Sequence, residues 1–183
     1  MPLPDPELWP RKPLDGITPL LQPVAHVLSH AKRELPRVLA DLSADELWSE
    51  PAGVPSLGFQ LAHLAGNIDR LFTHARGEPL TLLQRAQLAQ EGAASSLRPP
   101  LADLLGRLDV ILDNSLTQLQ ELHPERLLET RDIGTGDAYP TVFDLLSSAA
   151  EHTSRHLGQI ATTAQVLRDL GAKRRSPGGQ STA

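Results

Sequence analysis

The sequence predicts an all-α fold, a four-helix bundle of the up-and-down type with short extra helices. The 183-residue chain is rich in leucine and alanine, and only 3% of its residues are aromatic, which favours helices over sheets. Four long stretches repeat apolar side chains at steps of three and four residues. Capping and turn signals separate these stretches. The length suits one domain with its own core.

The first long helix is predicted over residues 18–42. Pro36 lies inside it and removes one backbone donor, so we expect a kink near residues 32–35. The letters SADE at residues 43–46 have the form of a capping box and predict a short helical turn ending near Trp48.

Two further long helices follow. Ser56 is the expected N-cap of the second, which ends at Gly77, a residue suited to the left-handed conformation after a helix. A shorter helix is predicted over residues 81–91. The letters RPP at residues 98–100 begin the third long helix, which ends near His123.

The fourth and longest helix begins after Thr141, its expected N-cap, and runs to Leu170, which Gly171 follows. Residues 124–140 precede it as an irregular connection that contains glycines and a proline. Four long helices with turns between them make a bundle the natural architecture.

Three parts of the chain are expected from these signals. Residues 1–16 form an extended, proline-rich N-terminal arm without the pattern of a signal peptide. Residues 17–171 form the helical bundle domain, and residues 172–183 form a flexible C-terminal tail.

Composition excludes several classes of protein. The chain has no cysteine, which rules out disulfides, zinc–cysteine sites and thiol nucleophiles of its own. A net charge of -5 with both signs interspersed argues against a nucleic-acid partner. No apolar run approaches the roughly 20 residues that span a membrane. We therefore expect a cytoplasmic protein with neither nucleic-acid nor membrane partners.

The fourth helix has two histidines on its apolar face. His152 and His156 fall in the stripe that includes Ile160, at positions where the pattern favours leucine. Their i, i+4 spacing stacks the two rings on one face, the geometry with which HExxH helices bind zinc. Two core histidines with hydrogen-bond partners are the alternative, because a metal site needs at least three protein ligands.

A third ligand has to come from another helix. His63 lies among small residues in the middle of the second long helix, an unusual place for an imidazole without a partner. His26 and His30 form a competing HxxxH pair in the first helix, where His30 is expected to face solvent. His74, on a polar helix edge, and His123, at a helix end, are expected to be solvated.

Two segments together resemble the DinB-like superfamily, which includes the YfiT-type proteins. They are SLGFQLAHLAGNIDRLFTHARGEPL at residues 56–80 and AAEHTSRHLGQI at residues 149–160. The letters PVAHVL, SADELW and RDIGTG also look like one branch of this family. The resemblance covers roughly residues 20–170 and leaves out both ends of the chain.

The resemblance implies a four-helix bundle that binds a divalent metal through three histidines. These fall on His63, His152 and His156 here. Nickel, zinc, manganese or iron would suit imidazole ligands, and three such ligands leave open positions on the ion. Family members are commonly dimers, so a homodimer is expected. The family also includes transferases that use low-molecular-weight thiols and hydrolase-like proteins.

Two classes of function remain open from the sequence. The first is a metal-dependent enzyme, a hydrolase or a thiol transferase, that acts on a small-molecule substrate with a thiol as a possible cosubstrate. The second is a non-catalytic metal-binding or ligand-binding bundle, or a stress-associated dimeric module. No residue is assigned a catalytic role.

Several polar residues are candidates for the surroundings of the site. Glu151 and Asp69 are candidate acid/base groups that are as easily surface charges, and Gln159 is a candidate hydrogen-bonding neighbour. Arg155 is expected to point outward. The loop before the last helix offers candidates for a pocket rim, namely Arg131, Asp132, Asp137 and Tyr139.

Overall fold

The chain folds into helices. A computed structural model describes residues 12–91, 94–134, 136 and 139–175. The helices in this part are α1 (Gln22–Leu39), α2 (Ala44–Leu47), α3 (Leu57–Arg76), α4 (Leu82–Ala89), α5 (Ala94–Leu97), α6 (Leu101–Glu121) and α7 (Val142–Arg175). The β-structure in these residues is one isolated bridge between Thr130 and Thr141. The all-α prediction is confirmed. Most of the predicted arm and tail, residues 1–11 and 176–183, lies outside the described residues.

The four long helices pack around one core. α3 contacts α6 and α7, and α1 contacts the same two helices, so α1 lies across the core from α3. Each long helix contributes fully buried leucines to this core, among them Leu28, Leu64, Leu112 and Leu146. The apolar stripes of the sequence therefore face one another.

Polar contacts near both ends of α3 and α6 show that these two helices run parallel. Near their C-terminal ends, Gln118 Nε2 donates to the carbonyl oxygen of Phe72 at 3.1 Å. Before their N-terminal ends, Trp48 Nε1 donates to the carbonyl oxygen of Pro99 at 3.3 Å. Residues 77–100 must therefore run back along the bundle, and we call this segment the crossover.

α7 runs antiparallel to α3. Arg131, which precedes α7, donates from Nε to the carbonyl oxygen of Ala75 at the C-terminal end of α3, at 3.1 Å. This antiparallel packing brings His63 of α3 close to His152 and His156 in the first half of α7.

The crossover is fixed to α3 through α4. Thr81 caps α4 in a capping box with Gln84. The Gln84 amide nitrogen also donates to Asp69 Oδ2 at 2.9 Å and to Thr73 Oγ1 at 2.8 Å, and both acceptors belong to α3. These bonds fix the N-terminal end of α4 to the second half of α3.

Most of the predicted helix limits are confirmed. Ser43 forms the expected capping box before α2. Ser56 caps α3, and Gly77 follows α3 with a φ of 83°. Pro36 lies inside α1, and the kink expected there stays a prediction.

Three limits differ from prediction, and one of them is the end of α1, which lies at Leu39 rather than at residue 42. α1 begins at Gln22 because residues 19–21 form a separate 3₁₀ turn with Pro19 at its start. α7 continues through Gly171 to Arg175. A helical glycine costs only about 1 kcal/mol relative to alanine, so Gly171 does not by itself end the helix.

Within the described part of the chain, no helix combines the length and the apolar character that crossing a membrane requires.

Candidate metal centre

Three histidines from two helices meet on the inner side of the bundle. His63 of α3 and His152 and His156 of α7 offer ring nitrogens that all lie within 4.8 Å of one another. The ring centroids of His63 and His152 are 5.0 Å apart, and those of His152 and His156 are 4.4 Å apart. The described residues form no other group of three or more such potential ligands. The structure thus brings together the three histidines that the sequence singled out.

The spacing of the nitrogens suits a small divalent ion. The Nε2 atoms of His63 and His152 are 3.0 Å apart. Nitrogens bound to a tetrahedral ion at 2.0–2.1 Å would be roughly 3.3 Å from each other. Little movement of either ring would therefore be needed to place an ion between them.

His152 and His156 are held in the uncharged form that metals bind. Burial lowers the pKa of His156 to about 4, with further contributions from the charges of His152 and His63. Burial also lowers the pKa of His152, followed by the charge of His63. In addition, His156 Nδ1 is buried without a hydrogen-bond partner among the described residues. A buried nitrogen without a partner is costly, and this fits a group that binds an ion.

A carboxylate lies behind His63, on the side away from the other two rings. Glu91 Oε2 is 2.9 Å from His63 Nδ1, and Arg70 Nη1 donates to Glu91 Oε1 at 2.6 Å. Since a carboxylate only accepts hydrogen bonds, His63 Nδ1 is the donor and His63 Nε2 keeps its lone pair. Glu91 was not predictable from the sequence, because nothing near residue 91 indicates that the crossover brings it to α3.

Neighbouring side chains of α3 complete the surroundings of His63. Phe59 stacks on the imidazole with 5.8 Å between centroids and 5° between planes. Gly66 leaves the space that the ion pair fills, since a Cβ atom there would lie 2.8 Å from Arg70 Nη1 and 3.0 Å from Glu91 Oε1. The shape of α3 therefore accommodates both the ring and its partner.

The structure places the candidate acid/base groups away from the three histidines. Asp69 accepts from Gln84 and helps to dock α4. Glu151 pairs with Arg155 at 2.8 Å on the exposed side of α7, so Arg155 points outward as expected. Gln159 is also exposed.

The remaining histidines do not join the group. His26 and His30 are half-buried on α1, so His30 is less exposed than the sequence predicted. His123 is exposed, as predicted. His74 is half-buried rather than solvated.

Part of the loop before α7 lines a different cavity. Asp132 and His74 border a space of about 450 Å³ at the C-terminal end of α3. His74 is 11 residues from His63, which is roughly 16 Å along a helix. Arg131 is engaged with the end of α3 rather than with that cavity, and Tyr139 is exposed. Asp137 lies outside the described residues.

The chain matches the family model of the DinB superfamily over residues 27–160, a range that contains all three histidines of the cluster. No curated protein and no solved structure matches the chain. The family match spans most of the sequence and agrees with the helical fold and the histidine cluster. The chain therefore belongs to the DinB superfamily.

Proposed function

We propose that His63, His152 and His156 bind one divalent metal ion and that the protein is a metal-dependent enzyme acting on a small molecule. The observation that supports this most directly is the convergence of three ring nitrogens within 4.8 Å. Three imidazoles leave positions on the ion for an exogenous molecule, as in catalytic zinc sites. Nickel, zinc, manganese and iron all accept such ligands.

A hydrolase and a low-molecular-weight-thiol transferase are the two reaction types that this centre would support. When bound, the ion supplies a Lewis acid that lowers the pKa of a coordinated water or thiol. The chain has no cysteine, so a thiol would enter as a cosubstrate. The protein's own residues would hold the ion and cover one side of the site with the ring of Phe59.

A non-catalytic metal-binding bundle is the second candidate. It is favoured by the positions of the carboxylates, because Asp69 and Glu151 are engaged elsewhere and Glu91 has both oxygens occupied. The described residues therefore offer no free carboxylate next to the three histidines to move a proton.

Metal analysis of the wild type with two histidine variants tests the site. We expect about one divalent ion per wild-type chain, bound at roughly 2.0–2.2 Å from the imidazole nitrogens. At a free nickel or zinc concentration 100 times Kd, binding stabilises the fold by about 2.7 kcal/mol. The stabilisation by metal should disappear in His152→Ala. It should persist in His123→Ala, because His123 is exposed just after α6.

Melting curves in chelator and in excess metal provide the decisive comparison. The metal site is refuted if His152→Ala lowers the melting temperature by the same amount in chelator and in excess metal. In that case His152 contributes only to the packing of the core. Turnover assays on the metal-loaded protein, with low-molecular-weight thiols and with hydrolysable esters, separate the two candidate functions. Stoichiometric metal without turnover of either class supports the non-catalytic bundle.

A further inference from the structure

We infer that Glu91 positions the imidazole of His63 for metal binding and stays outside the set of ligands. The inference rests on the proposed metal site and assigns a function to a residue of the crossover. Its basis is the chain of contacts from Arg70 through Glu91 to His63.

The contact with Glu91 selects one form of the His63 ring. The carboxylate can only accept, so the ring proton stays on Nδ1, 2.9 Å from Glu91 Oε2. The lone pair is then on Nε2, which lies 3.0 Å from His152 Nε2. A carboxylate at the outer nitrogen of a ligating histidine fixes its orientation and raises its basicity.

Both oxygens of Glu91 are already used, and this argues that Glu91 is not itself a ligand. Oε2 faces His63, and Oε1 accepts from Arg70 at 2.6 Å. The side chain of Arg70 is only 11% exposed, so turning the carboxylate toward an ion would leave a largely buried guanidinium without its partner. The open positions on the ion thus remain for an exogenous molecule.

The shape of α3 supplies an independent observation. Gly66 lies in the interior of α3, where glycine disfavours the helix. A Cβ atom at this position would meet Arg70 Nη1 at 2.8 Å and Glu91 Oε1 at 3.0 Å. The glycine therefore leaves room for the ion pair beside His63, and any larger residue would move it.

Binding of Co²⁺ to the full chain tests the role of Glu91, with affinity and the visible absorption of the ion as the two measurements. We expect Glu91→Ala to weaken binding about 10- to 100-fold, the range for groups that orient a ligand. Glu91→Gln should weaken it less, because the amide oxygen still accepts from His63. Gly66→Ala should also weaken binding, although it alters no polar group. The control is Glu78→Ala, which removes an exposed carboxylate paired with Arg76 at the end of α3.

The absorption bands distinguish a misplaced imidazole from a lost negative charge. A changed ligand geometry shifts the bands of bound Co²⁺, whereas a loss of charge alone lowers the affinity and leaves them in place. We expect shifted bands in Glu91→Ala and in Gly66→Ala. If Glu91→Ala does not fold by circular dichroism, Gly66→Ala and Glu91→Gln provide the same test.

Two results would overturn the inference in distinguishable ways. Wild-type affinity and bands in the folded Glu91 and Gly66 variants, with binding lost in His152→Ala, would refute the role of Glu91 and leave the metal site intact. Failure of the wild type to bind Co²⁺ would refute the metal site, and the inference with it.

Discussion

Gly58 and Gly106 occupy helix interiors for different physical reasons. A Cβ atom at Gly58 would lie 2.6 Å from the indole ring of Trp48, which is a buried side chain. A Cβ atom at Gly106 in α6 would have nothing within 4 Å. Gly58 therefore permits a close approach between α3 and Trp48, whereas Gly106 only weakens its helix.

Alanine at each of these positions should have opposite effects. Gly58→Ala should destabilise the protein by about 1–3 kcal/mol, because an extra methyl group overpacks the core. Gly106→Ala should stabilise it by about 0.5–1 kcal/mol through the better helix propensity of alanine. Urea unfolding of the metal-free protein measures both. Equal stabilities for the two variants would show that Trp48 moves freely.

The sequence predicted the three histidines of the site but not the residues that surround them. His152 and His156 share a helix face by their i, i+4 spacing, and the family resemblance added His63. Glu91 and Arg70 had no such signal. Their pairing depends on how the crossover docks on α3, which is a long-range contact that no periodic pattern encodes.

The start of α7 is fixed by a reciprocal cap. Thr141 donates to Asp144 Oδ2 from its backbone nitrogen at 2.9 Å and from its hydroxyl at 2.7 Å, and the hydroxyl accepts from Asp144 N at 3.1 Å. The hydrogen bond from the Thr141 side chain is the main reason that the pKa of Asp144 lies below its usual value. The ionised carboxylate therefore stabilises the first turn of the longest helix.

Loss of this cap should depend on pH in a defined direction. The folded pKa of Asp144 lies below its ordinary 3.8, so its contribution is complete above that pH and is lost as the pH falls through the folded value. Asp144→Ala should thus lower the melting temperature at pH 7, and the difference from wild type should shrink below pH 3.8. Thr141→Ala should cost about 1 kcal/mol at neutral pH.

Asp103→Ala is the matched control for this experiment, because Asp103 lies in the first turn of α6, where no side chain caps the helix. A difference between Asp144→Ala and the wild type that stays constant from pH 7 to pH 3 would contradict the cap.

Helix starts with an N-cap hydroxyl were more predictable than the other helix limits. Ser43, Ser56 and Thr141 all begin helices as expected, because an N-cap hydroxyl meets a specific backbone donor in the first turn. The end of α7 was placed too early, because Gly171 terminates a helix only when it adopts the left-handed conformation.

The whole molecule is expected to be a homodimer. α4 and α6 expose apolar side chains that border one shared depression, among them Leu83 and Val110. Pairing of two chains would remove this apolar area from water. Light scattering should then give a mass about twice the 19.8 kDa of one chain.

Two variants test this prediction. Leu83→Glu should produce monomers, whereas Leu20→Glu, at an equally exposed leucine next to α1, should leave the dimer intact. A wild-type mass close to that of a single chain at micromolar concentration would rule out the dimer.

The up-and-down pattern expected from the sequence would make consecutive long helices alternate in direction, but α3 and α6 run parallel. A connection as long as the crossover can join parallel or antiparallel helices, so residues 77–100 gave no information about the direction of α6. The contacts of Trp48 and Gln118 with α6 and α3 establish that direction.

This parallel arrangement has a thermodynamic consequence. The crossover contributes Glu91 to the proposed metal centre and is fixed to α3 by Gln84. Docking of the crossover on α3 and binding of the metal would then be coupled, and such coupling is reciprocal. The factor by which docking raises the metal affinity equals the factor by which bound metal raises the equilibrium constant for docking. α4 belongs to the crossover and exposes Leu82 and Leu83. Metal binding would therefore also favour the docked position of these two leucines on the outer surface of the molecule.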